Sequence, residues 1–489
     1  MEIKSNTNSL ELLFKPTNVL IIEAKPKIAF FIEGFIRQGF DLEKLYLVSP
    51  KEDELLGIKC FKSIDDVPAD TIDLLILSIR REIVVQNLKD LLSKKKINFV
   101  HIFTAGTAES DEVGLKIERD LKEILMNYPE TRSIGPNCMG LYCPRGKVAY
   151  YSSFPVESGN IGLIFQSGDL HSKMVKFSSR RYNLRFSKGV SIGNCIDIQV
   201  SELLQYFNDD DETDLVCVYF EGLSTLHENE GKRLLKAFKD TKKPILFMRG
   251  GRTERGQTAV LTHTGSMASK HKIWDAIFNQ TTIIEIPPSL DELIDYAYLF
   301  SNYIKKFKKL SKKVIYPSGK RALVVLWSGG FGILATDTLT ELGLELPLFE
   351  GEKLEKLKKI YPIKIGSLSN PFDMPWVTAD KVFLKVCKVA IDDDIDLIIV
   401  ETDAWRDLND VRFKGYYNNL QGIKTYAESL EKVFIIILHQ YPSESRAIFH
   451  DKLVEDGFLV YPSIESAAKS FLNLYKYGQK REQLFGKNN

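Results

Sequence analysis

The chain has 489 residues, and at roughly 100–200 residues per domain the first expectation is three domains. Hydrophobic residues make up 44% and charged residues 27%, a globular composition that excludes a wholly disordered chain, a collagen-like chain and a small disulfide scaffold. Lys and Arg total 66 against 65 Asp and Glu, so a net charge of +1 supplies no global pull toward nucleic acid or an anionic membrane.

The first stretch alternates short apolar runs with amphipathic ones. Val19–Ile22, Leu45–Val48, Leu74–Leu77 and Phe99–Phe103 read as buried strands, with helical patterns at Ile28–Gln38 and Ile83–Lys94 between them. That alternation predicts a Rossmann-like parallel α/β domain over 1–150. Gly135 to Asn160 is rich in Pro and Gly and reads as a loop-rich boundary. A second alternation over 151–304 predicts a doubly wound, flavodoxin-like domain. Its strands are Ile161–Phe165, Lys188–Ser191, Leu215–Phe220, Ile245–Met248 and Thr282–Ile286. Residues 305–321 carry eight basic side chains and no acidic one, and read either as an interdomain linker or as a solvated helix end with a turn. Leu323–Leu326, Asp396–Val400, Val433–Leu438 and Phe458–Tyr461 mark a third domain of the same kind over 322–489. Six cysteines form no CxxC pair and fit reduced thiols in a cytoplasm. The N-terminus lacks the pattern of a signal peptide, and no run of about 18 apolar residues exists to span a bilayer.

Five local features carry possible chemistry. Gly135-Pro136-Asn137-Cys138-Met139-Gly140 is a tight loop, either ligand-presenting or a plain domain-closing turn. Cys138 has no base placed beside it and reads more readily as a packed small residue than as a nucleophile. Phe165-Gln166-Ser167-Gly168 ends a strand and opens a helix, where Ser167 caps the helix and free N–H groups favour an anion. Ser191-Ile192-Gly193-Asn194, followed by Asp197, is another turn after a strand. Glu221 ends an apolar strand at a sheet's carboxyl edge, where it can orient a histidine. Gly250 to Gly256 leads to Leu261-Thr262-His263-Thr264-Gly265-Ser266, which puts His263 in an exposed polar loop; a neutral imidazole there can attack phosphorus. Each feature alone also reads as ordinary structure. The other six histidines have no comparable neighbourhood and read as surface or packing residues.

Taken in order, these motifs resemble the α subunit of ADP-forming acyl-CoA (acetyl-CoA) synthetases, relatives of succinyl-CoA synthetase. Gly329-Gly330-Phe331-Gly332 and Asn370-Pro371-Phe372-Asp373 fit the family's third α-subunit domain. The resemblance covers about residues 15–475. It implies an N-terminal CoA-binding domain, two succinyl-CoA-synthetase-like domains, and interconversion of acyl-CoA, ADP and phosphate with acid, CoA and ATP. An acyl phosphate forms first, and its phosphoryl group passes through a histidine to ADP. By position His263 resembles the phosphorylated histidine and Glu221 its orienting carboxylate. Gln166, Ser167, Gly168 and Gly265 resemble the phosphate-holding segments. Ser49, Pro50, Lys51, Asn137, Cys138, Gly193 and Asn194 resemble the CoA and acyl site. The resemblance further implies a separate ATP-grasp β subunit that carries ATP or ADP with Mg2+, a hetero-oligomer, and no metal site in this chain.

One departure stands out. Where the family has a glycine-rich turn after the first strand, this chain reads Ile22-Glu23-Ala24-Lys25-Pro26-Lys27. Proline removes a donor, and Glu23 adds a repulsive charge that Lys25 and Lys27 could offset. A non-catalytic acyl-CoA-binding or regulatory relative is therefore the alternative reading. A nicotinamide-dependent oxidoreductase would need GxGxxG after the first strand, which Val19–Gly34 lacks.

Overall fold

A computed structural model describes residues 7–264, 271–362, 366–375, 378–392, 394–405 and 407–486. The chain divides into two compact units, Met1–Ala297 and Tyr298–Asn489. The first unit holds two seven-stranded sheets, and the second holds one of five strands.

The first sheet runs in the order Glu54–Leu55, Ile58–Phe61, Leu45–Val48, Val19–Ile22, Thr71–Leu77, Lys96–Ile102, Arg132–Ile134. All neighbours are parallel except the first pair. Val19–Ile22 is central, with Val19 facing Leu45 on one side and Leu74 on the other. The strands are continuous apolar runs because both faces are covered by helices, as in Leu20, Leu75 and Val100, all fully buried. Burying each such side chain stabilises by about 1.5–3 kcal/mol.

The second sheet runs Ile284–Ile286, Ile245–Arg249, Leu215–Phe220, Ser158–Phe165, Phe186–Ser191, Gly140–Cys143, Val148–Ala149. The last two strands are antiparallel additions at one edge, with Ser191 opposite Gly140. The stretch expected to be loop-rich, Gly135 to Asn160, thus contributes two short strands. Their Leu141, Tyr142 and Val148 side chains are buried, but runs of two to four residues between Pro and Gly give no periodic signal. The third sheet is all parallel, in the order Phe372–Asp373, Ala322–Leu326, Leu397–Thr402, Val433–Leu438, Leu459–Tyr461. Lys305–Lys309 is the last turn of helix Leu290–Lys309, so the basic run begins as a helix end.

In the first sheet the chain starts at the central strand Val19–Ile22, builds to one side and then to the other; in the second, after the two edge strands, it goes from Ser158–Phe165 to Phe186–Ser191 on one side and then to Leu215–Phe220 on the other. Such reversals leave a crevice outside the carboxyl ends of the central strands, the usual ligand position in this architecture. In the first sheet it lies between Val19–Ile22 and Thr71–Leu77. In the second it lies beside Ser158–Phe165.

Candidate functional site

The Gly135–Gly140 loop is fixed between the two sheets of the first unit. Asn137 N–H donates to the Thr104 carbonyl at 2.9 Å, on the first sheet's edge. Gly135 N–H donates to the Ile192 carbonyl at 3.0 Å, and Met139 N–H to Ser191 Oγ at 3.1 Å, on the second. His101 Nε2 donates to the Cys138 carbonyl at 3.0 Å; burial lowers this histidine's pKa to about 4, so it stays neutral. The Cys138 thiol is buried, faces the Ile102 carbonyl at 3.6 Å, and has its pKa pushed well up by desolvation. A thiol in that state is a packing group, not a nucleophile.

Gly193 and Asn194 support this loop from behind. Gly193 has φ +62°, and a Cβ there would meet the Pro136 carbonyl oxygen at 2.2 Å, so only glycine fits. Asn194 Nδ2 is committed to Glu118 Oε1 at 2.6 Å and Glu109 Oε2 at 2.8 Å, with Thr107 Oγ1 at 3.1 Å. Its Oδ1 lies 3.5 Å from Asn137 Nδ2. Asp197 binds Arg132 Nε at 3.0 Å and Ser133 N–H at 2.6 Å, tying the second sheet's turn to the first sheet's last strand.

On the second sheet, Ser158–Phe165 runs into helix Gly168–Tyr182. Ser167 is the N-cap, and its Oγ accepts from Leu170 N–H at 3.4 Å. Asp169 in the first turn, Arg180 and Arg181 in the last, and Asn183 at φ 52° beyond the end are the sequence signals that set this helix. Gly168 sits so close to Met139 that a Cβ would meet its Cγ at 2.4 Å. The Gln166 amide is spent on the next strand's turn: Oε1 accepts from Glu221 and Gly222 N–H, and Nε2 donates to the Gly222 carbonyl at 2.9 Å. Its own N–H donates to the Tyr219 carbonyl at 3.1 Å. Gln166 therefore positions Glu221. That carboxylate is 5% exposed and accepts the Tyr219 hydroxyl, whose pKa burial and Glu221 both push up.

These edges enclose a cavity of about 490 Å³. Asn137, Cys138, Gln166, Ser167 and Gly168 line it, together with Lys25 and Lys27 of the glycine-free turn, and with Arg80 and Thr104, which sequence reasoning did not assign to a site. The lining residues come from loops after five different strands, which only the folded sheets bring together. The cationic groups and the helix N-terminus make the wall suited to phosphate oxygens. Glu23 takes φ +54°, a conformation normally left to glycine, and its carboxylate lies 3.4 Å from Lys25 Nζ. Glu23 thus supplies the positive φ in a turn that has no glycine. Ser49, Pro50 and Lys51 follow the neighbouring strand on the same edge but do not line the cavity; Ser49 Oγ accepts from Glu52 N–H at 3.2 Å.

His263 lies in the last turn of helix Glu254–Thr264, where a polar loop was expected. Glycines at 250, 251 and 256 disguise that helix in the sequence. Thr253 Oγ1 starts it by accepting Gly256 N–H at 3.1 Å. Gly250 N–H donates to the Phe220 carbonyl at 2.8 Å, and a Cβ on Gly250 would lie 3.8 Å from Glu221 Cγ, so the segment leading to His263 passes Glu221. Gly265 and Ser266 lie outside the described residues.

The second unit carries its own cavity of about 410 Å³ at the carboxyl edge of the third sheet, lined by Trp327, Ser328, Phe331, Glu401, Trp405 and Arg412 among others. His439, expected to be a surface or packing residue, has Nε2 2.9 Å from Glu401 Oε1, and its ring stacks on Phe331 at 5.0 Å. A glutamate and a histidine ending adjacent strands was the available signal. Among the described residues no His, Cys, Asp and Glu cluster suits a metal ion, and no helix is long and apolar enough to cross a membrane. All six cysteines are buried thiols.

The comparisons with known proteins fit this layout. Residues 27–144 match the CoA binding domain family, and 158–300 the succinyl-CoA ligase like flavodoxin domain family. The acetate–CoA ligase [ADP-forming] I subunit alpha of Pyrococcus furiosus is 30% identical over 490 residues, covering 96% of this chain and 98% of that protein. The acetate–CoA ligase [ADP-forming] of Methanocaldococcus jannaschii is 37% identical over 335 residues, 68% of this chain; the match spans only 44% of that longer protein. The fold is shared with a dinucleotide forming acetyl-coenzyme A synthetase 1 from Ca. Korarchaeum cryptofilum, at TM-score 0.78 and 24% identity over 98% of this chain and 99% of that one. The chain belongs to the family of ADP-forming acetate–CoA ligase α subunits.

Proposed function

We propose that this chain is the α subunit of an ADP-forming acyl-CoA synthetase, converting acyl-CoA, ADP and phosphate to acid, CoA and ATP with a separate ATP-grasp β subunit. The observation that carries the reading is the cavity where Asn137 and Cys138 meet the helix N-terminus at Ser167 and Gly168 under Lys25, Lys27 and Arg80. On this reading residues 1–150 bind CoA, 151–304 carry the phosphohistidine, 305–321 connect, and 322–489 form the second ligase-like domain. Phosphate oxygen attacks the thioester carbonyl and CoA leaves as thiolate. His263 then attacks phosphorus and the acid leaves as carboxylate; ADP finally takes the phosphoryl group. Glu221 orients and charge-stabilises the imidazole. The helix N-terminus holds the phosphoryl oxygens, and Gln166 keeps Glu221 in place. ATP or ADP and Mg2+ belong to the partner, and the setting is the cytoplasm. The relatives named as α subunits support a hetero-oligomer.

The test is transfer of label from γ-labelled ATP in the presence of the β subunit and magnesium. Label should map to His263, be lost to CoA plus acid, and vanish in His263→Ala. Absent label, with a β subunit competent on another α subunit, would favour the acyl-CoA-binding alternative, for which the glycine-free Glu23–Lys27 turn speaks.

A further inference from the structure

The residues that support Asn137 from behind carry an unbalanced hydrogen count. Thr107, fully buried, lies in the loop after strand Lys96–Ile102, and Glu118 belongs to helix Glu112–Asn127. The Thr107 hydroxyl oxygen is 2.8 Å from Glu109 Oε2 and 2.8 Å from Glu118 Oε1. Asn194 Nδ2 bridges the same two carboxyl groups, at 2.8 and 2.6 Å. The amide brings two hydrogens, one for each carboxyl, and the hydroxyl brings one for both. If both carboxyls are ionised, one oxygen–oxygen approach of 2.8 Å holds no hydrogen at all. One added proton closes the set.

The surroundings say which carboxyl holds it. Glu109 Oε1 also accepts the Gly106 and Thr107 N–H groups, at 2.6 and 3.1 Å. Burial would raise this carboxyl's pKa, but the hydrogen bonds outweigh burial and hold it below its usual range, so Glu109 stays ionised. Glu118 is 3% exposed and accepts from Ala108 N–H at 3.2 Å. Burial pushes its pKa up, and the like charge of Glu109 adds to that.

The two amides then have no choice of face. The carboxyl groups draw the Asn194 NH2 end toward them, which leaves its Oδ1 toward Asn137 Nδ2 at 3.5 Å. Asn137 lines the cavity, and its own carbonyl oxygen is turned away from Asn194.

We propose that Glu118 keeps a proton at neutral pH and donates it to Thr107 Oγ1, whose hydrogen goes to ionised Glu109, and that the two glutamates act through Asn194 as positioning residues for Asn137. The Asn137 carbonyl oxygen is thereby kept as an acceptor for a ligand N–H or O–H, such as the amides of CoA. Only this last step rests on the function proposed above.

Three measurements on the full chain test it. Infrared difference spectra at neutral pH should show a carboxylic-acid C=O band in the parent that Glu118→Gln lacks. Thr107→Val should keep that band but shift it, because the proton's acceptor is gone. No acid band lost in Glu118→Gln, or an unmoved band in Thr107→Val, would overturn the shared proton. With isotope-labelled asparagine, the Asn137 side-chain magnetic resonance signal, identified by its absence in Asn137→Ala, should move in Glu118→Ala and stay in Glu118→Gln, while remote asparagine signals hold. An unmoved Asn137 signal in Glu118→Ala, or an equal change at every asparagine, would reduce Glu118 to a tether between the sheets. Calorimetric titration should find CoA bound about fivefold more weakly by Asn137→Ala, the loss of one net hydrogen bond, and about as weakly by Glu118→Ala. The double variant should lose no more than either alone. Additive losses would overturn the positioning role. A parent that binds no CoA would refute the CoA reading instead, and the two spectroscopic results would still decide the proton and the positioning.

Discussion

The second and third sheets build the same corner from different residues. In the second, Phe165-Gln166-Ser167-Gly168 carries a central strand into a helix, and Glu221 directly follows the neighbouring strand. In the third, Leu326-Trp327-Ser328-Gly329 does the same, and the neighbouring strand carries Glu401 one residue before its end. The two carboxylates are almost equally buried, at 5% and 6% exposure. What differs is the residue after the strand. Gln166 turns inward and holds the Glu221–Gly222 backbone. Trp327 meets Glu401 only through its main-chain N–H, and its indole Nε1 is buried with no partner. A strand, a cap and a terminal carboxylate are thus a layout this architecture offers repeatedly. What distinguishes the two corners is the side chain that closes each one.

The sharpest way to break the comparison is to remove each histidine. His263→Ala should abolish phosphoryl labelling, a loss of several orders of magnitude. His439→Ala should leave label on His263. If His439→Ala also abolished it, the third-sheet corner would be part of the transfer chemistry. Next in size is Gln166→Ala. It strands two N–H groups and one carbonyl of a buried turn, each worth about 1–3 kcal/mol, so denaturant unfolding should show roughly 3 kcal/mol lost. Labelling should slow as Glu221 drifts. A stable variant with unchanged rate would deny Gln166 its positioning role.

Protonation offers a separate test at the third-sheet corner. Glu401 has its pKa raised, mainly by burial, with His439 pulling the other way. A carboxyl whose folded pKa exceeds its unfolded value favours folding when protonated, and that contribution fades as pH rises through the folded pKa. Glu401→Gln keeps a hydrogen-bonding partner for His439 without the charge. Its stability relative to the parent should therefore improve from acid toward neutral pH. A difference that is flat with pH, or that runs the other way, would mean that the His439 contact outweighs desolvation.

The sequence made the strands legible because runs such as Val19–Ile22 and Leu215–Phe220 are apolar on both faces. Ser167 was legible for a local reason too, since a serine between strand and helix is a cap before it is anything else. Helix Glu254–Thr264 was not, because glycines at 250, 251 and 256 mask its first turn and Thr253 caps it through a side chain. Gln166 was singled out for phosphate, but its partners are backbone groups 55 and 56 residues away, beyond any local pattern. Arg80 and Thr104 joined the cavity lining only when two sheet edges met.

The smallest effect tests the oddest local feature. Glu23 holds φ +54° where glycine would cost nothing, a strain of about 1–2 kcal/mol for an L-residue. Glycine would recover that strain but lose about 0.4–1 kcal/mol to a freer unfolded chain. Glu23→Gly should therefore stabilise by at most about 1.6 kcal/mol. Its effect on CoA should be clearer. The Glu23 carboxylate lies 3.4 Å from Lys25 Nζ and competes with phosphate for it, an exposed pairing worth about 0.2–1 kcal/mol. CoA binding should tighten by up to about fivefold at low salt, and less as salt screens the charges. Glu23→Gln separates the causes, because it removes the charge and keeps the strained backbone. If both variants tighten CoA equally, charge alone weakens the turn; if only glycine does, backbone approach is the limit. Unchanged or weaker binding in both would show that Glu23 does not obstruct CoA at this turn.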